Sequence, residues 1–252
     1  MDMATVIVYG VVFLFGIVVG SFLNVCILRI PAGESVVTVP SHCMSCGKHL
    51  KWYELIPLFS WLALGGRCSG CKARISAQYP LIEAANGILW MLALSVFGWS
   101  IDALLGALFL SVLLVIAMID ARTREIPPST VISVAVLGGL RLVLNLPSWR
   151  SALIGAVVVS VPLLLILLLS GGRAIGGGDV KLMAAAGFFL GWKLCLTAFG
   201  AACILGAVIH LIRMKFFGAG RELALGPYLA AGCGLCLLWG ELFLRWYTGL
   251  FV

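Results

Sequence analysis

The chain has 252 residues, 62% of them hydrophobic and only 11% charged, with a formal net charge of +7. That balance excludes an ordinary water-soluble domain and points to a polytopic membrane protein. The cations are not gathered into a basic, aromatic-interleaved stretch, so no nucleic-acid partner is expected.

In chain order the apolar runs read as eight transmembrane helices, at residues 4–28, 80–97, 103–119, 131–146, 152–169, 180–190, 194–212 and 223–246. The sixth is short and glycine-rich. The expected fold class is therefore all-α, with about eight membrane helices. The chain starts Met1-Asp2-Met3 without a basic region, and the run that follows is too long for a signal peptide, so the first helix is expected to be retained. Residues 29–79 are soluble in character and form an insert after that helix. The expected division is a first helix over 1–28, the insert over 29–79 and a seven-helix bundle over 80–252. With the N-terminus outside, only Arg141, Arg150, Lys193 and Arg245 of the 17 Lys and Arg fall on the outer side. This positive-inside bias makes the insert cytoplasmic.

The insert carries Cys43-Met-Ser-Cys46 and Cys68-Ser-Gly-Cys71. Each pair puts two thiolates on one tight turn, and two such turns supply the four sulfurs of a tetrahedral structural zinc site, as in a zinc ribbon. Gly47 and Gly70 suit the turns. Disulfides are disfavoured in a reducing compartment, and four sulfurs leave no open position for catalysis. His42 and His49 flank the first pair as surface residues. Cys26, Cys195, Cys203, Cys233 and Cys236 lie in apolar runs and read as packing residues.

Two aspartates border apolar runs at the same membrane face. Asp120 leaves the third helix in Met118-Ile-Asp120-Ala-Arg-Thr-Arg-Glu-Ile-Pro, and Asp179 follows Gly176, Gly177 and Gly178 at the entry to the sixth. An ionisable group at bilayer depth costs about 2.5–3.5 kcal/mol at a helix centre and so usually pairs or acts. Asp120 could pair with Arg124 at i+4, and Asp179 could cap its helix. Intramembrane carboxyls also line ion and proton pathways. The three glycines favour a further reading: side-chain-free backbone makes room for an extended substrate beside two carboxyls that act as acid and base.

These features together resemble the bacterial type IV prepilin peptidases, bifunctional leader peptidases and N-methyltransferases with a Gly-x-Gly-Asp aspartic protease motif. The likeness spans nearly the whole chain. It includes Gly20-Ser-Phe-Leu-Asn24-Val-Cys-Ile-Leu-Arg29-Ile-Pro31, both cysteine pairs, Leu50-Lys-Trp-Tyr-Glu54-Leu-Ile-Pro57, Ile75-Ser-Ala-Gln-Tyr79-Pro80 leading to Glu83, and Gly226-Pro-Tyr-Leu-Ala230. Asp120 stands a few residues before Ile126-Pro127, and Asp179 precedes Val180-Lys181-Leu182, as in that family. One departure is Pro128, where the family usually has Asp or Asn.

The resemblance implies catalytic Asp120 and Asp179, with Gly176, Gly177, Gly178 and Lys181 against the substrate. It implies cleavage of prepilins or type II secretion pseudopilins at the cytoplasmic face of the bacterial inner membrane, then N-methylation by S-adenosylmethionine. No Gly-x-Gly-x-x-Gly follows a strand, and the insert is too small for the usual nucleotide-binding domain of about 100 residues or more. The candidates for holding the methyl donor are accordingly Asn24, Arg29, Glu54, Tyr79 and Glu83. Two rival readings are a transporter with an acidic cation pathway and a non-catalytic zinc-ribbon scaffold for secretion.

Overall fold

Helix boundaries follow the apolar runs and stop where glycine, proline or charge interrupts them. The computed structural model describes residues 2–144, 148–217 and 223–250. Helix α1 (Met3–Ala32) is capped by Asp2, whose carboxylate accepts the Thr5 N–H at 3.3 Å. It ends at Gly33, left-handed at φ 69°, whose N–H returns to the carbonyls of Arg29 and Ile30. A helix of 30 residues is about 45 Å long, so it outruns a bilayer core of about 30 Å.

A single-turn helix α2 (Phe59–Ala63) lies in the insert, and the remaining helices are α3 (Gln78–Phe97), α4 (Ile101–Thr123), α5 (Pro128–Val143), α6 (Trp149–Val158), α7 (Ser160–Leu169), α8 (Gly177–Leu190), α9 (Trp192–Phe217) and α10 (Gly226–Thr248). Among the described residues there is no strand, only two isolated bridges in the insert. Among the described residues six stretches are long and apolar enough to cross a membrane: α1, α3, α4, α6 with α7, α9 and α10. The chain is a multi-pass membrane protein. Two of the eight expected spans are shorter than the roughly 20 residues a crossing needs: α5 has 16 residues and α8 has 14. Residues 145–146, the end of the expected fourth span, lie outside the described residues. The fifth span is broken at Val159, because Pro162 lacks the N–H that would bond the Val158 carbonyl and its ring presses on that carbonyl. The Ser160 hydroxyl bonds the Ala156 carbonyl there.

The chain forms two compact units, Met1–Ser100 and Ile101–Val252. In the first of them α3 packs with α1. Gly16 and Gly20 are the reason. A Cβ on Gly16 would fall 2.7 Å from the Cα of Gly87, and one on Gly20 would fall 2.8 Å from the Cα of Glu83. Small residues four apart let two membrane helices approach at backbone distance. Asn86 then donates to the Gly16 carbonyl at 2.7 Å.

In the second unit α8 packs against α5, α6, α7, α9 and α10, and α4 packs against α5 and α10. Gly155 and Gly187 bring α6 and α8 together so closely that a Cβ on either would meet the other's carbonyl oxygen within 2.2 Å. Phe109 of α4 stacks on Phe189 of α8, centroids 4.1 Å apart. Arg141 is tucked against Asp102 and the Phe189 carbonyl.

Candidate active site and metal centre

Asp120 ends a helix face whose preceding residues, Ile116 and Ile119, are fully buried, and it is itself only 5% exposed. Its Oδ2 accepts the Gly226 N–H at 2.9 Å, from the first residue of α10. Past Asp120 the chain turns sharply. Arg124 adopts a left-handed conformation, φ 57°, uncommon for a residue with a side chain, and its N–H bonds the Asp120 carbonyl at 2.9 Å. The Thr123 hydroxyl bonds the Ile119 carbonyl at 3.1 Å. Pro127 and Pro128 then start α5, where a missing N–H costs nothing.

Asp179 is the third residue of α8, whose cap is Gly176. Its carboxylate reaches back to the Gly176 N–H at 3.2 Å, which satisfies one of the helix's unpaired donors. Asp179 thus closes the helix start from inside rather than capping it. Gly178 sits against Ile126 of the turn, where a Cβ would come within 3.0 Å of the isoleucine Cβ.

The two aspartates line one cavity of about 280 Å³, completed by Arg124, Glu125, Ile126, Gly176, Gly177 and Gly178. Lys181 is exposed and outside this lining. A buried carboxyl and a half-buried one on one cavity, with glycine backbone for a wall, can hold a hydrolytic water against an extended peptide.

The four insert cysteines converge, with all sulfurs within 4.8 Å of one another, and could hold a metal ion. The Cys43 and Cys71 sulfurs are 3.8 Å apart, the edge of a tetrahedron with zinc–sulfur bonds of about 2.3 Å. The two turns are built alike. Cys43 and Cys68 donate to the carbonyls of Lys48 and Ala73, each at 2.9 Å, and their own carbonyls accept from Gly47 and Lys72. Each turn needs a left-handed residue just after its second cysteine. Gly47 supplies one at φ 70°, but Lys72 at φ 60° takes the position in the second turn, while Gly70 instead aims its N–H at the Cys68 sulfur, 3.4 Å away. The backbone N–H groups of Ser45 and Cys46 hold the Cys43 pKa down at about 6. Those of Cys71 and Gly70 lower Cys68. Both favour the thiolates a metal requires. His42 and His49 pair across the first turn, outside the sulfur cluster.

Residues 14–97 match the model of the bacterial peptidase A24 N-terminal domain, and residues 107–211 match that of the type IV leader peptidase family. The chain is 36% identical to a prepilin leader peptidase/N-methyltransferase of Stutzerimonas stutzeri, covering 90% of this chain and 89% of that one. It is 33% identical to the Bacillus subtilis protein of the same name, covering 94% and 97%. The chain belongs to the type IV leader peptidase family. A Myxococcus xanthus relative of the same name is 37% identical over 82% of this chain, which spans 63% of that protein's length. No solved structure matches the chain.

Within the A24 N-terminal region, three of the five residues expected to hold a methyl donor come together. Asn24 is buried in α1 and donates to the Tyr79 carbonyl at 3.1 Å and the Gly20 carbonyl at 3.4 Å. Glu83 is buried on α3 beside Gly20 and accepts the Leu58 N–H at 2.8 Å. The other two are occupied elsewhere. Arg29 spans the carbonyls of Ser35, Val39 and Pro40 and so shapes the start of the insert. Glu54 bonds the Lys51 N–H at 2.8 Å, Lys48 at 3.2 Å and the Ser69 hydroxyl, and ties the two cysteine turns together. In the peptidase region, the reading of the residues missed Glu125, Ile126 and Gly226. The Ile-Pro following Asp120 was the available signal for the first two; Gly226, which meets Asp120 through its backbone N–H, stood only within the stretch Gly226-Pro-Tyr-Leu-Ala230 that carries the family likeness.

Proposed function

We propose that this chain is a membrane aspartic endopeptidase that removes the leader of type IV prepilins or type II secretion pseudopilins, then methylates the new N-terminal amine. The supporting observation is that Asp120 and Asp179, from different helices, open into one cavity walled by glycine backbone. The positive-inside pattern supports a site facing the cytoplasm from the bacterial inner membrane. The substrate runs extended along Gly176, Gly177 and Gly178, and the exposed Lys181 meets it as it approaches.

One carboxylate of the pair takes a proton from water as the hydroxide oxygen attacks the scissile carbonyl carbon. The other, protonated, gives its proton to the carbonyl oxygen. Collapse of the tetrahedral intermediate restores the C=O and breaks the C–N bond. The amine leaves with the proton first taken from water, and the second carboxyl recovers its own. The products are a leader carboxylic acid and a free amine, for one water consumed.

The buried Asn24 and Glu83, with the half-buried Tyr79 between them, form a polar cluster in otherwise apolar helices that fits a polar ligand. S-adenosylmethionine supplies an electrophilic methyl group there. Glu83 keeps acceptor capacity beyond its Leu58 bond for a ribose hydroxyl or for the proton of the incoming amine. Arg29 and Glu54 contribute through the loop and turns they organise. Cys43, Cys46, Cys68 and Cys71 hold one structural zinc, a closed four-sulfur site that firms the insert.

Asp120→Asn and Asp179→Asn should each abolish leader removal while membrane insertion and thermal stability stay as in the parent. Near-normal cleavage by either variant would overturn the assignment.

A further inference from the structure

We infer that the backbone N–H of Gly226 is a positioning group for cleavage, holding Asp120 in the rotamer that faces the cavity. The inference rests on the assignment of Asp120 as a reacting carboxyl. Its ground is the fit between α10 and that side chain. The Gly226 N–H reaches Asp120 Oδ2 at 2.9 Å, and both residues are buried. The first N–H groups of a helix have no partner within it, so this donor is available. Pro227, next in α10, has no N–H to compete and presets the backbone at the helix start.

Gly226 must also be glycine. A Cβ there would stand 2.6 Å from Oδ2, 2.7 Å from Cγ and 2.9 Å from Cβ of Asp120. The whole carboxyl lies against the Gly226 Cα, and a side chain as short as Asp has no remote end to swing aside. One oxygen tethered in this way leaves Oδ1 for the water. Gly232, farther along α10, shows what mere packing looks like: a Cβ there would meet the Ala198 carbonyl at 2.4 Å and Ala202, far from any carboxyl.

The experiment compares Gly226→Ala, Pro227→Ala and Gly232→Ala in the full chain, in detergent, with a prepilin substrate. A displacement of about 1 Å can cost on the order of 100-fold. For Gly226→Ala we therefore expect kcat per folded enzyme at least tenfold lower, with KM within about twofold, the mark of an interaction made in the transition state. Pro227→Ala, which loosens the helix start without crowding Asp120, should lose kcat several-fold at unchanged KM. Gly232→Ala should lower Tm and leave kcat per folded enzyme near the parent value. Parent-like kcat in Gly226→Ala, or a loss matching only its folded fraction, overturns the inference. If Gly226→Ala does not insert, parent-like kcat in Pro227→Ala overturns it. Asp120→Asn in the same assay separates the two levels: normal cleavage there removes the dyad reading itself, whereas an inactive Asp120→Asn beside a normal Gly226→Ala removes only the role of Gly226.

Discussion

Ile126 leans on Gly178 so closely that a Cβ added to the glycine would lie 3.0 Å from the isoleucine Cβ. The contact ties the turn after Asp120 to the helix start that carries Asp179. A Cβ on Gly177, the neighbour of Gly178, would meet nothing within 4 Å. The two glycines should respond differently to the same methyl group. Gly178→Ala should lose about 1–3 kcal/mol of stability, as overpacking does, with kcat roughly tenfold lower from the displaced turn. Gly177→Ala should keep the parent Tm and raise KM at unchanged kcat, the pattern of lost substrate binding. Steady-state cleavage and thermal unfolding of both variants check this.

Glu83→Gln changes charge at nearly constant shape. Hydrogen bonds to charged groups are worth about 1.5–3 kcal/mol, so methylation should fall roughly 10- to 100-fold. Cleavage should persist, because neither aspartate belongs to the Met1–Ser100 unit. Mass spectrometry of the processed substrate reads both at once, since leader loss and methylation shift the mass separately. The expected product is cleaved and unmethylated. Loss of cleavage in step with methylation would make the first unit a support of the peptidase.

Glu54 links the cysteine turns through a pH-dependent charge. The Lys51 N–H, the Ser69 hydroxyl and Lys48 hold its pKa at about 2, against an ordinary 4.5. A carboxyl depressed on folding stabilises the fold above its unfolded pKa, and the benefit is lost as pH falls through the folded value. The insert of the parent should therefore resist proteolysis better than that of Glu54→Gln at neutral pH. The difference should begin to shrink below pH 4.5 and vanish near pH 2. Limited proteolysis of both proteins across that range measures it, and the comparison cancels acid effects on the cysteines. A difference independent of pH would mean that shape, not charge, makes the link.

Asp102 and Arg141 form two parallel hydrogen bonds, 2.8 and 3.0 Å long, between α4 and α5. The guanidinium also lies 4.9 Å from the centre of the Phe189 ring. Breaking a buried pair costs about 3–5 kcal/mol. With the side chains 12% and 24% exposed, Asp102→Asn should fall at the low end, about 3 kcal/mol. The pair stands at the far end of α4 from Asp120, roughly 27 Å away at 1.5 Å per residue. Tm should drop while kcat per folded enzyme holds. A selective loss of kcat would show that the pair tunes the dyad from a distance.

Asp120, Asp179 and the four cysteines stood out in the chain as candidates because their signals are local. A carboxyl beside an apolar run, a glycine triplet before it and two Cys-x-x-Cys turns each declare themselves within a few residues. The apolar stretches were legible for the same reason, but α5 and α8 are shorter than a crossing needs and the fifth run breaks at Val159. What the sequence could not decide was which distant backbone meets which side chain. That α3 packs on α1 depends on Gly16 and Gly20 facing Gly87 and Glu83. That Glu54 binds Lys48 and Ser69, and Arg29 the carbonyls of the insert, depends on where the loop returns. Lys72 could take the left-handed position expected of a glycine because the paired turn holds it there. Gly226 opens a stretch that carries the family likeness, but its contact with Asp120 was not visible, for it consists of a backbone N–H and an absent side chain. Every residue but proline carries that donor, so only the tertiary structure distinguishes the one that reaches a carboxylate.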